Sequence, residues 1–186
     1  KGFYWFGGAN GLIRFTDPAG ERHDAIWYRM GDKTYPLSHN RIRHIYEDKE
    51  QQLWIATDGS INRYDYATRQ FIHYNIVDNT GTYNTNWTYY IFEDTAGQLW
   101  ISTCLGGIFV VDKRKLMQST SGQYIAEQNY SVHNGLSGMF INQIIPDNEG
   151  NVWVLLYNNK GIDKINPRTR EVTKLFADEL TGEKSP

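Results

Sequence analysis

Residues 91–108 read IFEDTAGQLWISTCLGGI, and this stretch decides the fold. It holds two short apolar runs separated by a polar segment that starts with Asp94 and ends with Gly97. Aspartate at the start of such a segment caps a tight turn, and glycine accepts the positive φ that the turn needs. A third apolar run begins after Gly107. The stretch therefore predicts consecutive short antiparallel strands joined by tight connections.

The same pattern recurs along the chain, which indicates a repeat protein. Its anchors are four tryptophans spaced 49, 46 and 53 residues apart: Trp5, Trp54, Trp100 and Trp153. Six residues before three of them lies an aspartate: Asp48, Asp94 and Asp147. Three residues before each lies glycine or a polar substitute: Gly2, Gln51, Gly97 and Gly150. We expect the tryptophans to fill the space between repeats and the aspartates to cap turns.

Each unit predicts four short strands, because no run between the turns shows a sustained 3.6-residue period. Four antiparallel strands in a repeat of about 45 residues form the blade of a β-propeller. We therefore predict an all-β fold, with residues 1–186 forming one segment of β-propeller blades. The predicted repeats span about 1–36, 37–82, 83–135 and 136–176, followed by a polar tail at 177–186.

The two ends of the chain predict a partial propeller. The first repeat lacks its first strand, and the polar tail offers no apolar strand that could complete it. About three and three-quarter blades of a longer ring are the favoured interpretation. A compact four-bladed ring, or two chains that complete a larger ring, are the alternatives.

The composition limits the classes of function. The 186 residues include 19 Lys+Arg and 21 Asp+Glu, and a net charge of −2 argues against a basic surface for nucleic acid. No apolar run approaches the roughly 18 residues that cross a bilayer, so this segment is not expected to insert into a membrane. The single Cys104 excludes an internal disulfide, and the five histidines lack metal-ligand spacing. We expect no metal, no cofactor and no catalytic residue.

The second unit carries the most recognisable motif. It reads NRIRHIYED at 40–48, LWIAT at 53–57 and GSINRYD at 59–65. This unit closely resembles the two-component regulator propeller repeat, whose pattern is Asn-x-Ile-x-x-Ile-x-Glu-Asp, then Gly-x-Leu-Trp-Ile-Gly-Thr, then Gly-Gly-Leu-x-x-Tyr-Asp. The third unit matches about as well. The departures are Ser60 in place of a glycine, and Pro146 and Leu155 in the fourth unit.

The resemblance implies a place in the periplasmic sensor region of a hybrid two-component sensor histidine kinase of the Bacteroidetes type. In that family, propellers precede a small β-sandwich, a single inner-membrane helix and a histidine kinase. Such sensors respond to glycans, so the resemblance implies an oligosaccharide or other small ligand, with the remaining blades of the parent propeller as neighbours. Kinase activity would belong to the parent chain, so we expect no enzyme activity in this segment.

Propeller geometry predicts where a ligand would bind. The turns after the first strands are tight, whereas the loops between second and third strands and the links between blades vary in length and chemistry. Variable loops on a rigid scaffold usually carry binding, and an aromatic ring beside polar groups suits a sugar. Trp87 lies outside the repeat register, and packing against Tyr83 or Tyr89 is its alternative role. The candidate ligand-binding residues are Trp87, Tyr83, Asn84, His39, Arg41, Asp58 and Asn158.

Two other functions remain open at this stage. Related repeats occur in lyases, so a propeller lyase or glycan-active enzyme is one alternative, although the sequence assembles no His/Glu or metal cluster. A purely structural propeller for protein interaction or homodimerisation is the other. The connection Lys113–Gln128, basic and then rich in small polar residues, predicts a solvated hairpin loop, with a dimer or partner contact as the alternative.

Overall fold

The computed structural model describes residues 2–16, 24–34, 36–120, 122–157 and 161–175. Its strands form four stacked antiparallel sheets, which we call the first to fourth blades. The first blade holds β1 (Tyr4–Gly8), β2 (Gly11–Phe15) and β3 (Ile26–Tyr28). The second holds β4 (Ile42–Glu47), β5 (Leu53–Thr57), β6 (Ser60–Asp65) and β7 (Gln70–Tyr74). The all-β fold of four-stranded propeller blades is thus confirmed, and the predicted tail at 177–186 lies outside the described residues.

The remaining elements follow in chain order. A two-residue strand β8 (Ile76–Val77) precedes the third blade, which holds β9 (Thr88–Glu93), β10 (Gln98–Thr103), β11 (Ile108–Asp112) and β13 (Gln128–Tyr130). Helix α1 (Lys113–Gln118) and strand β12 (Tyr124–Ile125) lie between β11 and β13. The fourth blade holds β14 (Ile141–Pro146), β15 (Val152–Leu156), β16 (Ile162–Asn166) and β17 (Glu171–Leu175).

We call the first strands of the second, third and fourth blades, β4, β9 and β14, the inner strands. The turn that follows each of them also positions a tryptophan. In the third blade, the backbone N–H groups of Ala96 and Gln98 donate to one carboxylate oxygen of Asp94, at 2.8 and 2.9 Å. The other oxygen accepts the indole N–H of Trp100 at 2.9 Å. The same indole bond recurs in the neighbouring blades, in the pairs Trp54–Asp48 and Trp153–Asp147. The aspartate therefore orients the tryptophan while it closes the turn.

Trp5, Trp54 and Trp100 each face the next blade, because side chains alternate between the two faces of a strand. Trp5 packs on the cluster between the first and second blades, and Trp54 lies in the cluster between the second and third. Trp100, 1% exposed, lies in the cluster between the third and fourth. Trp153 faces away from these clusters, is only half-buried, and carries Lys164 over its ring. The three clusters join the four blades into one stack.

The arrangement is a partial propeller. The inner strands β4, β9 and β14 contact one another in chain order, and the described residues supply no strand at the inner position of the first sheet. Among the described residues, large apolar side chains stay exposed on the outer faces of the first and last blades. They are Tyr4, Phe6 and Trp27 at one end and Ile145 and Leu155 at the other.

The connection after β11 differs from the predicted hairpin loop. Asp112 caps α1, because its side chain accepts the backbone N–H groups of Arg114 and Lys115. Strand β12 then pairs in parallel with β8, so the connection reaches back to the segment that leaves the second blade. The segment therefore ties two blades together.

Helix α1 is far too short to span a bilayer, and no other helix in the described ranges is long and apolar enough to do so.

Candidate ligand-binding site

The loops after the second strands and the links before the inner strands lie together at one rim, which runs across the second to fourth blades. This end of the blades repeats a backbone hydrogen bond in three successive blades. There the residue that follows the second strand donates its N–H to the carbonyl of the residue that precedes the inner strand. The pairs are Asp58 to Arg41 at 3.4 Å, Cys104 to Trp87 at 2.9 Å and Tyr157 to Phe140 at 2.9 Å. Arg41, Trp87 and Phe140 thus occupy one register position, and all three side chains are exposed. We call this end the axial end.

Trp87 is held rigidly at the axial end. Its backbone N–H donates to the carbonyl of Asp58 at 3.0 Å, while its own carbonyl accepts the N–H of Cys104. Its φ of 54° lies in the left-handed region, which is costly for a bulky residue and is a kind of strain often found at functional sites. The side chain is nevertheless 47% exposed. The fold therefore keeps an aromatic ring in solvent on a strained, fully bonded backbone.

A cavity of about 320 Å³ lies beside Trp87. Tyr83, Asn84 and Asn86 contribute polar groups to its wall, and Leu105 and Trp87 contribute apolar surface. A volume of this size lies at the small end of the range of about 300–1,000 Å³ that is usual for ligand pockets. The cavity therefore combines the aromatic surface and amide groups that a sugar ring requires.

A second cavity, of about 240 Å³, lies between the third and fourth blades. Its lining is mostly aromatic: Tyr89, Cys104, Phe140, Ile141 and Tyr157. Burial raises the pKa of the Cys104 thiol, so the group stays protonated and is unsuited to nucleophilic attack. Phe140 and Tyr157 are about half exposed, and they offer flat apolar surface to solvent.

Charged groups border these two cavities. Arg43 donates to both carboxylate oxygens of Asp58, at 2.6 and 3.3 Å, and its guanidinium lies 4.5 Å from the ring centre of Tyr89. The hydrogen bond to Asp58 raises the pKa of Arg43, so this guanidinium is always charged. Arg41 lies 3.7 Å from the same carboxylate. The axial end thus places two cations and one anion beside the aromatic walls.

A third cavity, of about 490 Å³, lies beside the outer strand β13, between the links that enter the third and fourth blades. Tyr83 lines it as well as the cavity at Trp87, and its hydroxyl lies 3.2 Å from Nε2 of His133. Asp78 fixes the loop, because it accepts the backbone N–H of Tyr83 at 2.8 Å and bonds Thr80. Four side-chain amides also line the wall: Asn79, Gln128, Asn129 and Asn134.

The structure brings together some of the residues that the sequence predicts for ligand binding. Trp87, Tyr83 and Asn84 share a cavity, and Arg41 pairs with Asp58 beside it. Nδ1 of His39 accepts the backbone N–H of Arg41, so this ring supports the loop. Asn158 lies outside the described residues. Sequence reasoning missed four residues at the axial end: Arg43, Tyr89, Phe140 and Tyr157. It also missed His133 at the third cavity.

The opposite end of the stack holds an acidic cluster that is filled by a lysine. The ammonium of Lys113 lies 3.1 Å from Asp48 and 2.7 Å from Glu93, and it also contacts Glu50. Burial alone would lower the pKa of Lys113, but the hydrogen bonds to these three carboxylates outweigh burial and raise it. The three carboxylates lie close enough together to hold a metal ion. The lysine supplies the positive charge there.

Comparison with known proteins gives a consistent picture. The sequence profile described as the two-component regulator propeller matches residues 36–59 and 135–158. A search of curated proteins found no match. Two crystal structures of the extracellular domain of BT4673 from B. thetaiotaomicron are 99% identical to the chain, with TM-scores of 0.94 and 0.93. That protein is described both as a one-component and as a hybrid two-component system.

The chain covers only part of these structures. It spans 25% of the BT4673 extracellular domain, while the whole of this chain is matched. The extracellular domain of BT3049, a hybrid two-component system from the same organism, is 20% identical over 94% of this chain and 23% of its own, with a TM-score of 0.74. Virginiamycin B lyase from Staphylococcus aureus is 15% identical over 92% of this chain and 50% of its own, with a TM-score of 0.59. The last two likenesses show a shared fold.

Proposed function

Since two of the four repeats match the two-component regulator propeller family, we propose that this chain forms part of the ligand-sensing region of a two-component receptor. The near-identity to one quarter of an extracellular domain supports this role. A receptor of this kind would place the chain in the periplasm, with the parent anchored in the inner membrane and a histidine kinase on the other side. Signal transfer would then be the work of the parent chain, and this segment would bind without catalysing a reaction.

We propose that further blades of the parent cover the two exposed faces of the stack. Apolar side chains on the outer face of a sheet are stabilised when another sheet packs on them at about 10 Å. Tyr4 and Phe6 on the first blade and Ile145 and Leu155 on the last are exposed in this way. A second copy of the chain is the alternative cover, and the oligomeric state of the complete extracellular domain distinguishes the two.

The proposed ligand is an oligosaccharide bound at the axial end. The observation that carries this proposal is Trp87, whose exposed ring stands on a strained, hydrogen-bonded backbone beside a cavity lined by amides. Sugar rings stack their C–H faces on such a ring, while their hydroxyls bond neighbouring polar groups. Thermal-shift and calorimetric titration of the complete extracellular domain with a panel of neutral and acidic oligosaccharides tests it. Binding by no member of the panel would overturn the proposal.

Replacing Trp87 with alanine is expected to weaken oligosaccharide binding by about tenfold, because the stacking surface is lost. The melting temperature should change little, since half of the ring is exposed already. Trp27→Ala is the matched control for affinity alone, because Trp27 is also outside the repeat register and 48% exposed, but lies on the outer face of the first blade where a further blade is proposed to pack. Titration calorimetry and thermal unfolding check both variants. Parallel losses of affinity and stability in Trp87→Ala would assign the ring to packing.

The two alternative functions give different results in the same experiments. A lyase or glycan-active enzyme would convert a member of the panel, and product analysis by mass spectrometry would detect it. A propeller that serves only protein contacts would bind no member of the panel and would keep its partner when the axial residues are replaced. Among the described residues, no carboxylate or histidine lines the two axial cavities, and Asp58 beside them is already held by Arg43. Sensing is therefore the function that the geometry favours.

A further inference from the structure

The axial end carries one uncompensated positive charge. Asp58 is the only carboxylate among the described residues that the two arginines contact, and Arg43 engages both of its oxygens. A bidentate pair of this kind neutralises one guanidinium with one carboxylate. Arg41 stands 3.7 Å from Oδ2, beyond hydrogen-bond distance, so it shares a carboxylate that is already paired. Two guanidinium groups against one carboxylate leave a net charge of about +1.

Arg41 is placed to present this charge to a ligand. Its backbone is fixed at both sides, because its N–H donates to Nδ1 of His39 and its carbonyl accepts the N–H of Asp58. Its side chain is 54% exposed. In the repeat register it takes the position that Trp87 and Phe140 take in the next two blades. Arg41 and the exposed rings therefore line the same rim.

On the basis of the function proposed above, we infer that the ligand is an anionic oligosaccharide whose acid group binds Arg41. The ligand's acid group could be the carboxylate of a uronic acid or a sulfate ester. Both are anions whose oxygens accept two N–H groups of one guanidinium. The neighbouring sugar rings would lie on Trp87, with the amides of its cavity bonding their hydroxyls. The net positive charge of the two arginines and Asp58 would disfavour a ligand that brings a cation.

The test compares each acidic probe with a neutral counterpart of the same sugar chain. Oligogalacturonides are titrated beside their methyl esters, and sulfated oligosaccharides beside their desulfated forms, into the complete extracellular domain. We expect the acidic form to bind about tenfold tighter than its counterpart, as one charged hydrogen-bonded contact predicts. Added salt should weaken the acidic form alone. The two series distinguish a carboxylate ligand from a sulfate ligand.

Variants then assign the effect to Arg41. Arg41→Gln should remove the preference for the acidic form, and Arg41→Lys should restore part of it. Arg114→Gln, an exposed arginine of α1 at the opposite end, is the matched control and should leave this preference unchanged. Equal binding of acidic and neutral forms, with Trp87→Ala still harmful, would overturn this inference and leave the proposed function standing. Binding of neither form would overturn both.

Discussion

Replacing Lys113 with methionine is expected to lower the free energy of unfolding by about 3–5 kcal/mol and the melting temperature by about 10 °C. The lysine side chain is 5% exposed, and its partners Asp48 and Glu93 are 0% and 2% exposed. Methionine matches the length of the stem but leaves two buried carboxylates without a cation. Removing one partner of a buried ion pair is strongly destabilising for this reason. Urea and thermal unfolding followed by circular dichroism measure the loss.

Lys115→Met supplies the control for that experiment. Lys115 lies two residues further along α1, is 66% exposed, and stands 3.5 Å from Glu127. An exposed ion pair contributes less than about 1 kcal/mol, so this variant should melt close to the unchanged protein. Adding Glu93→Gln to Lys113→Met should recover part of the stability, because one of the unpaired charges is removed. Similar losses in Lys113→Met and Lys115→Met would contradict the buried-charge account.

The contact of Lys113 also marks a limit of sequence reasoning. The connection from Lys113 to Gln128 reads locally as a polar loop, yet its lysine reaches Asp48, 65 residues earlier. Strand positions follow from a period of two, and turn positions follow from Asp and Gly, because both are local properties. An ion pair across two blades has no local signal. Only the stacking of the second blade on the third places these groups together.

The turn aspartates were predictable in position but only partly in role. Their fixed spacing of six residues from the tryptophans is visible in the sequence, and the predicted turns are present. The same spacing carries the bond from the indole N–H of Trp100 to Asp94, since a strand that follows a tight turn runs back beside it. A buried indole N–H needs such an acceptor. The spacing was therefore a signal for the bond as well as for the turn.

The axial site shows what the repeat register could have added. The sequence makes Trp87 a candidate because it falls outside the tryptophan pattern. Nothing of that kind singles out Phe140. The two residues occupy the same position before the inner strands of the third and fourth blades, and each accepts a hydrogen bond from the loop of its own blade. Aligning the units from their inner strands would have found Phe140 and placed Arg41 with them. The cavities themselves depend on packing between blades, which the sequence does not express.

Replacing Gly107 with alanine is expected to destabilise the chain by about 3–5 kcal/mol, from left-handed strain together with a backbone clash. Gly107 directly precedes β11, the third strand of its blade, and has a φ of 75°. A Cβ there would overlap the carbonyl oxygen of Tyr130 in the neighbouring strand, which cannot move without breaking the sheet. Thermal and urea unfolding measure the loss, and the near-ultraviolet circular dichroism of Trp100 and Tyr130 should weaken with it.

Gly150→Ala separates the clash from the strain. Gly150 has a φ of 86°, but no atom lies within 4 Å of the position that a Cβ would take, so the cost should stay at about 1–2 kcal/mol. The second blade shows how the register position of Gly107 accepts a side chain: Ser60 has a φ of 81° and donates its hydroxyl to the carbonyl of Tyr74 at 2.9 Å. Gly107→Ser should accordingly be less harmful than Gly107→Ala if the third blade can widen in the same way. Equal losses in Gly107→Ala and Gly150→Ala would show that strain alone sets the cost, and that the carbonyl of Tyr130 yields to a methyl group.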